Sequence, residues 1–279
     1  VMHLHNVRLF CATGFGERDG GPCARCRGRR TVPGLVLNCR RSLPEAVAYA
    51  VGLSAHQPEV LAAVDRFVTP SAWAAERVAM LGLPRERVQP LPHYLPEHAF
   101  ESHSRAGEGS YALVLSRLSP EKGIDDAISA TGAAGVPLRV AGDGPELQRL
   151  TALAGREGDR VQMLGRVAPS RARELLAGAA MVLMPSHYHE FSPYAALEAM
   201  AAGVPVVATA MGGLPELLGP GRCVPLGDSG AFAARLAALW NDPRSRMAEG
   251  QELLERARAA HSQARFVERL RALYDGLPA

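Results

Sequence analysis

No run of about 18 apolar residues occurs anywhere in the 279-residue chain, so no segment of it reads as a membrane-spanning helix. The opening stretch VMHLHNVRLF has neither a long apolar segment nor a cleavage site and does not read as a secretion leader. Net charge is also scarce. A formal value of +3 is too small to mark the whole chain as a nucleic-acid binder, and no nucleic-acid partner is expected. Internal repeats and low-complexity tracts are missing, and aromatic residues are few. Acidic residues are locally absent, because residues 21–41 carry Arg25, Arg27, Arg29, Arg30, Arg40 and Arg41 without one carboxylate.

The length and an ordinary apolar content leave room for two domains, each with a real core. From residue 110 onward, short and nearly continuous apolar runs alternate with helical ones. The runs YALVLS, LRVAG, VQMLG, MVLMPS and PVVAT predict strands buried on both faces, as in a parallel sheet. Between them, helices are predicted over 124–133, 146–154, 170–177 and 194–202, which gives a doubly wound, Rossmann-like α/β domain. Ligands of such sheets bind beyond the carboxyl ends of the strands.

Ahead of this domain the pattern is thinner. Residues 67–71 and 87–92 read as strands around a helix over 72–81, and residues 1–4 as a further strand, giving a partial Rossmann-like domain over 1–95. A polar link is expected over 96–109, the complete domain over 110–260, and a C-terminal helix over 261–279 that returns to the first domain. The chain opens directly on a strand and loop, which reads as a start in mid-domain.

Four segments put polar groups immediately after strands. SRLSPEKG offers Arg117 as a guanidinium fork and Lys122 as a point charge, both suited to a diphosphate. GDGPE places Gly142 and Gly144 in a tight turn where backbone can approach a nucleotide. ATAMGGLPE forms a second glycine turn. HEFSPYAALEAMAAG carries Glu190 before a helix start and Glu198 inside the helix, with Ser192 as N-cap, Pro193 at the first helical position and Gly203 as a left-handed stop. The free amides and positive dipole end of that helix fall between the two acids, where an anion with hydroxyl-bearing groups on either side would fit.

In this order, SRLSPEKG, VAGDGPE, HEFSPYAALEAMAAGVPVVAT and GGLPELL resemble the nucleotide-sugar domain of family 4 glycosyltransferases, retaining enzymes of the GT-B fold. The resemblance covers about residues 110–225. It implies that Arg117 and Lys122 bind the donor diphosphate, that Glu198 holds the ribose, and that Glu190 with the amides of Phe191 and Ser192 holds the transferred sugar. VMHLHNVRLFC is similar to the strand and loop that ends in the family's active-site histidine, which maps onto His5. Family members carry further βα units before this strand, so about 90 residues, at about 30 per unit, are expected to precede Val1.

The implied reaction moves a sugar from a nucleotide-diphosphate sugar to a hydroxyl acceptor with retention. No protein nucleophile is required, and the leaving diphosphate helps to take the acceptor's proton while the protein positions and stabilises charge. No metal or other cofactor is expected for that step, and the sequence has no Asp-x-Asp pair. The rival readings are a nucleotide-sugar epimerase, a non-catalytic truncated GT-B protein and a zinc-stapled binding protein.

Cys11, Cys23, Cys26 and Cys39 fall in a C-x11-C-x2-C-x12-C pattern, which suits a tetrahedral structural zinc. Two disulfides, an iron–sulfur cluster and four free thiols are the alternatives. A cytoplasmic enzyme using nucleotide sugars makes disulfides the less natural of these. The arginines among these cysteines suit an anionic acceptor, a peripheral membrane contact, a nucleic acid, or simply a solvated face.

Overall fold

The computed structural model describes residues 1–18, 21–101 and 103–277. Two compact units form, one from residues 1–92 with the chain from Val267 onward, the other from His93–Phe266.

The first unit holds strands β1 (Met2–His3), β4 (Phe67–Thr69) and β5 (Val88–Pro90) in one parallel sheet of order β1-β4-β5. Between β1 and β4 lie a hairpin of β2 (Glu17–Arg18) and β3 (Gly21–Pro22), a short helix α1 (Val32–Val36) and a long helix α2 (Leu43–Ala63). Helix α3 (Ala72–Met80) joins β4 to β5 and is capped by Ser71, whose side chain accepts from the Ala74 amide at 3.2 Å.

Helix α2 is not foreseen by the sequence pattern, which Pro44, Gly52 and Pro58 interrupt. Pro44 sits in the first turn, where its missing N–H costs nothing. Pro58 lies inside the helix, a position that removes one hydrogen bond.

In the second unit, β6 (Ala112–Leu115), β7 (Leu138–Ala141), β8 (Val161–Gly165), β9 (Met181–Met184), β10 (Val206–Thr209) and β11 (Cys223–Val224) form one six-stranded parallel sheet in the order β11-β10-β9-β6-β7-β8. This is the doubly wound order, with the topological switch between β6 and β9. The five apolar runs account for β6 to β10. The two-residue edge strand β11 is too short for any periodicity to show.

Alternate strand residues face opposite layers. Leu113, Val182, Val206 and Ala208 pack with residues of α6 (Pro169–Ala177), α7 (Tyr194–Ala201), α8 (Leu214–Leu218) and α10 (Pro243–His261). Val114, Val140, Met181, Leu183 and Val207 pack with residues of α4 (Ile124–Ala134), α5 (Leu147–Ala154) and α9 (Ser229–Asn241). Burying each such side chain stabilises the unit by about 1.5–3 kcal/mol. Helix α11 (Gln263–Asp275) closes the chain and is shared by the two units.

Residues 96–109, expected as a link, pack as part of the second unit. Ser104 is buried and donates to the Gly203 carbonyl at 2.6 Å, and buried Arg246 donates to the carbonyls of Ala106 and Gly107 at 3.0 and 3.1 Å. Glu97, His98, Glu101, His103, Arg105 and Glu108 of this stretch stay exposed, so its polar composition reflects a solvated surface while Ser104 and Ala106 anchor it.

Candidate functional site

Strand β6 sits at the switch point, so the loop that leaves its carboxyl end faces the loop that leaves β9. A backbone bond joins the two loops, from the His187 amide to the Glu121 carbonyl at 2.8 Å. His187 adds a side-chain tie, its Nε2 lying 2.6 Å from Asp126 Oδ2.

The loop after β10 holds the same region from the other side. The Gly213 amide donates to the Glu190 carbonyl at 2.7 Å, and Gly212, at φ +66°, packs so closely that a Cβ there would lie 2.1 Å from that carbonyl oxygen. Only glycine combines that left-handed backbone with that approach. Thr209 completes the frame with a bond to the Ser186 carbonyl at 2.6 Å.

Inside this frame Glu190 is 4% exposed and accepts from three side chains. Lys122 Nζ donates to Oε1 at 2.8 Å, Ser186 Oγ donates to the same oxygen at 2.9 Å, and Tyr188 Oη donates to Oε2 at 2.5 Å. Lys122 also donates to Tyr188 Oη at 2.9 Å, which closes a ring of three groups. Burial, and then the neighbouring Glu190 carboxylate, push the Tyr188 phenol far above its ordinary pKa, so it stays a neutral donor. Ser186, Tyr188 and Glu190 recur every second residue, the spacing at which side chains of an extended segment fall on one side. Ser186 and Tyr188 are missed by the sequence reading, and their alternation with Glu190 is the signal that could have found them.

Arg117 and Lys122, paired in the sequence reading, are placed differently. Arg117 is exposed and forms an ion pair with Glu121, while Lys122 points to Glu190. Burial alone would raise the Glu121 carboxyl, yet hydrogen bonds from its own amide, Ser119 and Arg117 bring it below the usual carboxylate range. The close approach of Gly142 and Gly144 is to the protein's own backbone: a Cβ on either would meet the carbonyl oxygens of Ser116 or Leu118 at 1.8 and 2.3 Å.

Helix α7 begins at Tyr194, as the predicted range has it, and one residue later than its cap residues suggest. Its N-cap is Pro193, without a side-chain cap, so the expected Ser192 cap is corrected. Ser192 is buried in the extended approach to the helix and forms no hydrogen bond among the described residues. Phe191 lies between it and Glu190, and Gly203 ends the helix at φ +68° as expected. Glu198 lies on the exposed side of α7, and its carboxylate accepts no hydrogen bond among the described residues. Partial desolvation raises its pKa, with Arg173 opposing. The two glutamates therefore have different settings, one enclosed by donors and one open.

In the first unit His5 follows the carboxyl end of β1 and is exposed, its ring stacked with His3 at 6.3 Å between centroids. Cys11, Cys23, Cys26 and Cys39 are free, half-buried thiols, and among the described residues no group of three or more His, Cys, Asp or Glu is arranged to hold a metal ion. Side chains also bind the carbonyls of this loop. Arg77 donates to Cys23 at 2.7 Å, Arg40 to Ala12 at 2.9 Å, and Gln57 to Leu9 and Gly28 at 2.7 and 3.1 Å. No helix among the described residues is long and apolar enough to cross a membrane.

A six-stranded sheet of this order, with charged loops meeting at its switch point, defines a nucleotide-binding type of α/β domain. Residues 97–256 match the glycosyl transferases group 1 family, and the chain belongs to that family. It is 35% identical over 174 residues to an exopolysaccharide phosphotransferase of Streptomyces coelicolor, covering 58% of this chain and 18% of that protein. It is 31% identical over 193 residues to a D-inositol 3-phosphate glycosyltransferase of Acidothermus cellulolyticus, covering 60% of this chain and 43% of that one. The chain thus spans less than half the length of these relatives. Among solved structures, it is similar to Anabaena HepE in complex with UDP-glucose, with a TM-score of 0.71 and 20% identity over 87% of this chain and 70% of that one. The fold is GT-B-like.

Proposed function

We propose that the chain is part of a retaining glycosyltransferase of family 4 that moves a sugar from a nucleotide-diphosphate sugar to a hydroxyl acceptor. The observation that carries this reading is the enclosed Glu190, held by Lys122, Tyr188 and Ser186 just before α7 at the switch point of the sheet.

Glu190 accepts from hydroxyls of the transferred sugar, and its donors fix the carboxylate before the sugar arrives, which removes the reorganisation cost at the moment of reaction. Lys122 carries the charge nearest to the leaving diphosphate. Arg117 exchanges Glu121 for phosphate, and the first amides of α7 supply the remaining donors. Glu198, open on the helix, takes the ribose hydroxyls. His5 is assigned to the acceptor side as a hydrogen-bonding group.

UDP is the first nucleotide to test, since HepE was solved with UDP-glucose. A thermal-shift panel of UDP, GDP and ADP sugars reads the donor, because a ligand at 100 times its Kd stabilises by about 2.7 kcal/mol. The anomeric proton coupling of the product reads retention. No shift with any nucleotide sugar, or a product of inverted configuration, would overturn the reading.

A further inference from the structure

Cys11, Cys23, Cys26 and Cys39 lie between β1 and α2, and the reaction assigned to the second unit makes no use of them. Separated in sequence, they gather around the short helix α1. The Gly34 carbonyl of α1 accepts from the Cys39 amide at 3.0 Å. A Cβ on the same glycine would lie 3.5 Å from Cys26 Sγ and 3.6 Å from the Cβ of Ala12, the neighbour of Cys11. Arg40, next to Cys39, donates to the Ala12 carbonyl at 2.9 Å and so draws the first and last cysteine segments together. Cys23 is held near Cys26 by the two-residue spacing, and its carbonyl accepts from Arg77 at 2.7 Å. Burial raises the Cys26 thiol above its ordinary pKa, a bond with the Gly34 backbone opposes this, and the Cys11, Cys39 and Cys23 thiols raise it further. All three are therefore within electrostatic reach of Cys26.

Cations stand on the same cluster. Arg18 donates to Cys39 Sγ at 3.6 Å and to the Leu37 carbonyl at 3.2 Å. Burial pulls the Arg77 pKa down, and the Cys23 thiol, Glu17 and the Cys11 thiol oppose that pull. Positive charge beside a sulfur favours the thiolate, which is the form that binds metal. A disulfide sulfur carries no such charge, so these guanidinium groups suit a metal thiolate better than a bridge.

We propose that Cys11, Cys23, Cys26 and Cys39 form a tetrathiolate zinc site that ties the loop after β1 to α1. Four sulfurs make the closed tetrahedral donor set of a structural zinc. Their four negative charges exceed the two positive charges of the ion, and Arg18 and Arg77 offset the excess from outside the ligand shell. Among the described residues the sulfurs do not stand in ligand geometry, so binding must draw them inward and couples metal affinity to the ordering of this loop. The site is independent of the reaction assigned to the second unit.

The test begins with elemental analysis of the chain purified under reducing conditions. About one zinc per chain is expected. It should be lost in Cys23→Ser with Cys26→Ser and kept in Cys223→Ser. A second readout uses the parent chain and does not depend on how that variant folds. After chelator treatment, added cobalt(II) is expected to give the visible and sulfur-to-metal charge-transfer bands of a tetrahedral tetrathiolate, and added zinc to protect the four thiols from alkylation as read by mass spectrometry. Absence of the cobalt bands together with four thiols that alkylate equally with and without zinc would overturn the proposal. Two disulfides among these cysteines, or an iron–sulfur chromophore in the purified chain, would overturn it as well.

Discussion

Glu190→Gln keeps the shape of the side chain and removes its charge. The buried carboxylate accepts from Lys122, Ser186 and Tyr188, so the substitution leaves Lys122 beside a neutral amide and turns the amide's own N–H toward groups that also donate. Breaking a fully buried ion pair costs about 3–5 kcal/mol, and a hydrogen bond to a charged group is worth about 1.5–3 kcal/mol. Lys122 keeps 18% of its side chain in contact with water against 5% for Glu190 and recovers part of its solvation, so we take about 2–3 kcal/mol. For a unit of this size that corresponds to a fall in Tm of about 4–12 °C, at about 2–4 °C per kcal/mol. Differential scanning calorimetry without ligand reads it, and Lys122→Met in the Glu190→Gln background is expected to cost less than the two single changes summed. In calorimetric titration, UDP should bind Glu190→Gln as it binds the parent, while turnover of the intact donor falls. A Tm within 2 °C of the parent would refute the reasoning that the three donors are spent on this charge.

Glu198→Gln separates the second acid from the first. Burial raises the Glu198 pKa above its unfolded value, so ionising it costs stability as pH rises through that window, and the penalty is fully present above the folded pKa. The variant is expected to melt no lower than the parent at pH 7 and to bind nucleoside diphosphate more weakly, which melting and titration together check. Tyr188→Phe removes one donor from Glu190 and one acceptor from Lys122, and at least a tenfold loss of donor turnover is expected, readable by initial rates. Cys223, its thiol pushed up to about 11 by burial, is expected to alkylate at pH 8 about a hundredfold more slowly than an ordinary thiol, as timed mass spectrometry would show. Gly212→Ala meets both a φ of +66° and the Glu190 carbonyl, and a destabilisation above about 2 kcal/mol is expected in denaturant melts.

The legible parts of this chain are those whose physics is local. Strands β6, β9 and β10 are apolar on both faces, and a short apolar run between turn signals shows that without any tertiary knowledge, whereas β8, expected to be buried likewise, is an edge strand with Gln162 exposed. Glycines 142, 144, 203 and 212 mark close turns for the same reason. Helix α2 escaped because its periodicity is blurred: apolar residues lie on most of its sides, and two prolines and a glycine interrupt it. The partners of the site escaped for a different reason. That Lys122 meets Glu190 rather than standing beside Arg117 depends on two loops 68 positions apart closing at one sheet edge, which no spacing in the sequence records. Nor does the spacing of the four cysteines record that Arg77, Arg40 and Gln57 bind the carbonyls of their loop.

The charges of the site balance before any ligand arrives. Lys122 is matched by Glu190 and Arg117 by Glu121, so the loops meet without like-charge repulsion and without a strong net field. A diphosphate carrying about two negative charges gains nothing from such a balance unless the cations change partners. Arg117, exposed and on a flexible stem, can do so at little cost, because exposed ion pairs are worth only about 0–1 kcal/mol. Lys122 cannot leave Glu190 so cheaply, since the carboxylate is buried, and it must instead span carboxylate and phosphate with its three donors. On the proposed function, Arg117 is expected to set the affinity for the diphosphate and its salt dependence, and Lys122 to couple the diphosphate to the sugar through Glu190. Arg117→Ala should therefore weaken UDP binding and flatten its response to salt. Lys122→Ala should reduce turnover of the intact donor more than it reduces binding of UDP. Equal effects of the two substitutions on nucleotide affinity and on turnover would show that the two cations act as one pool of charge.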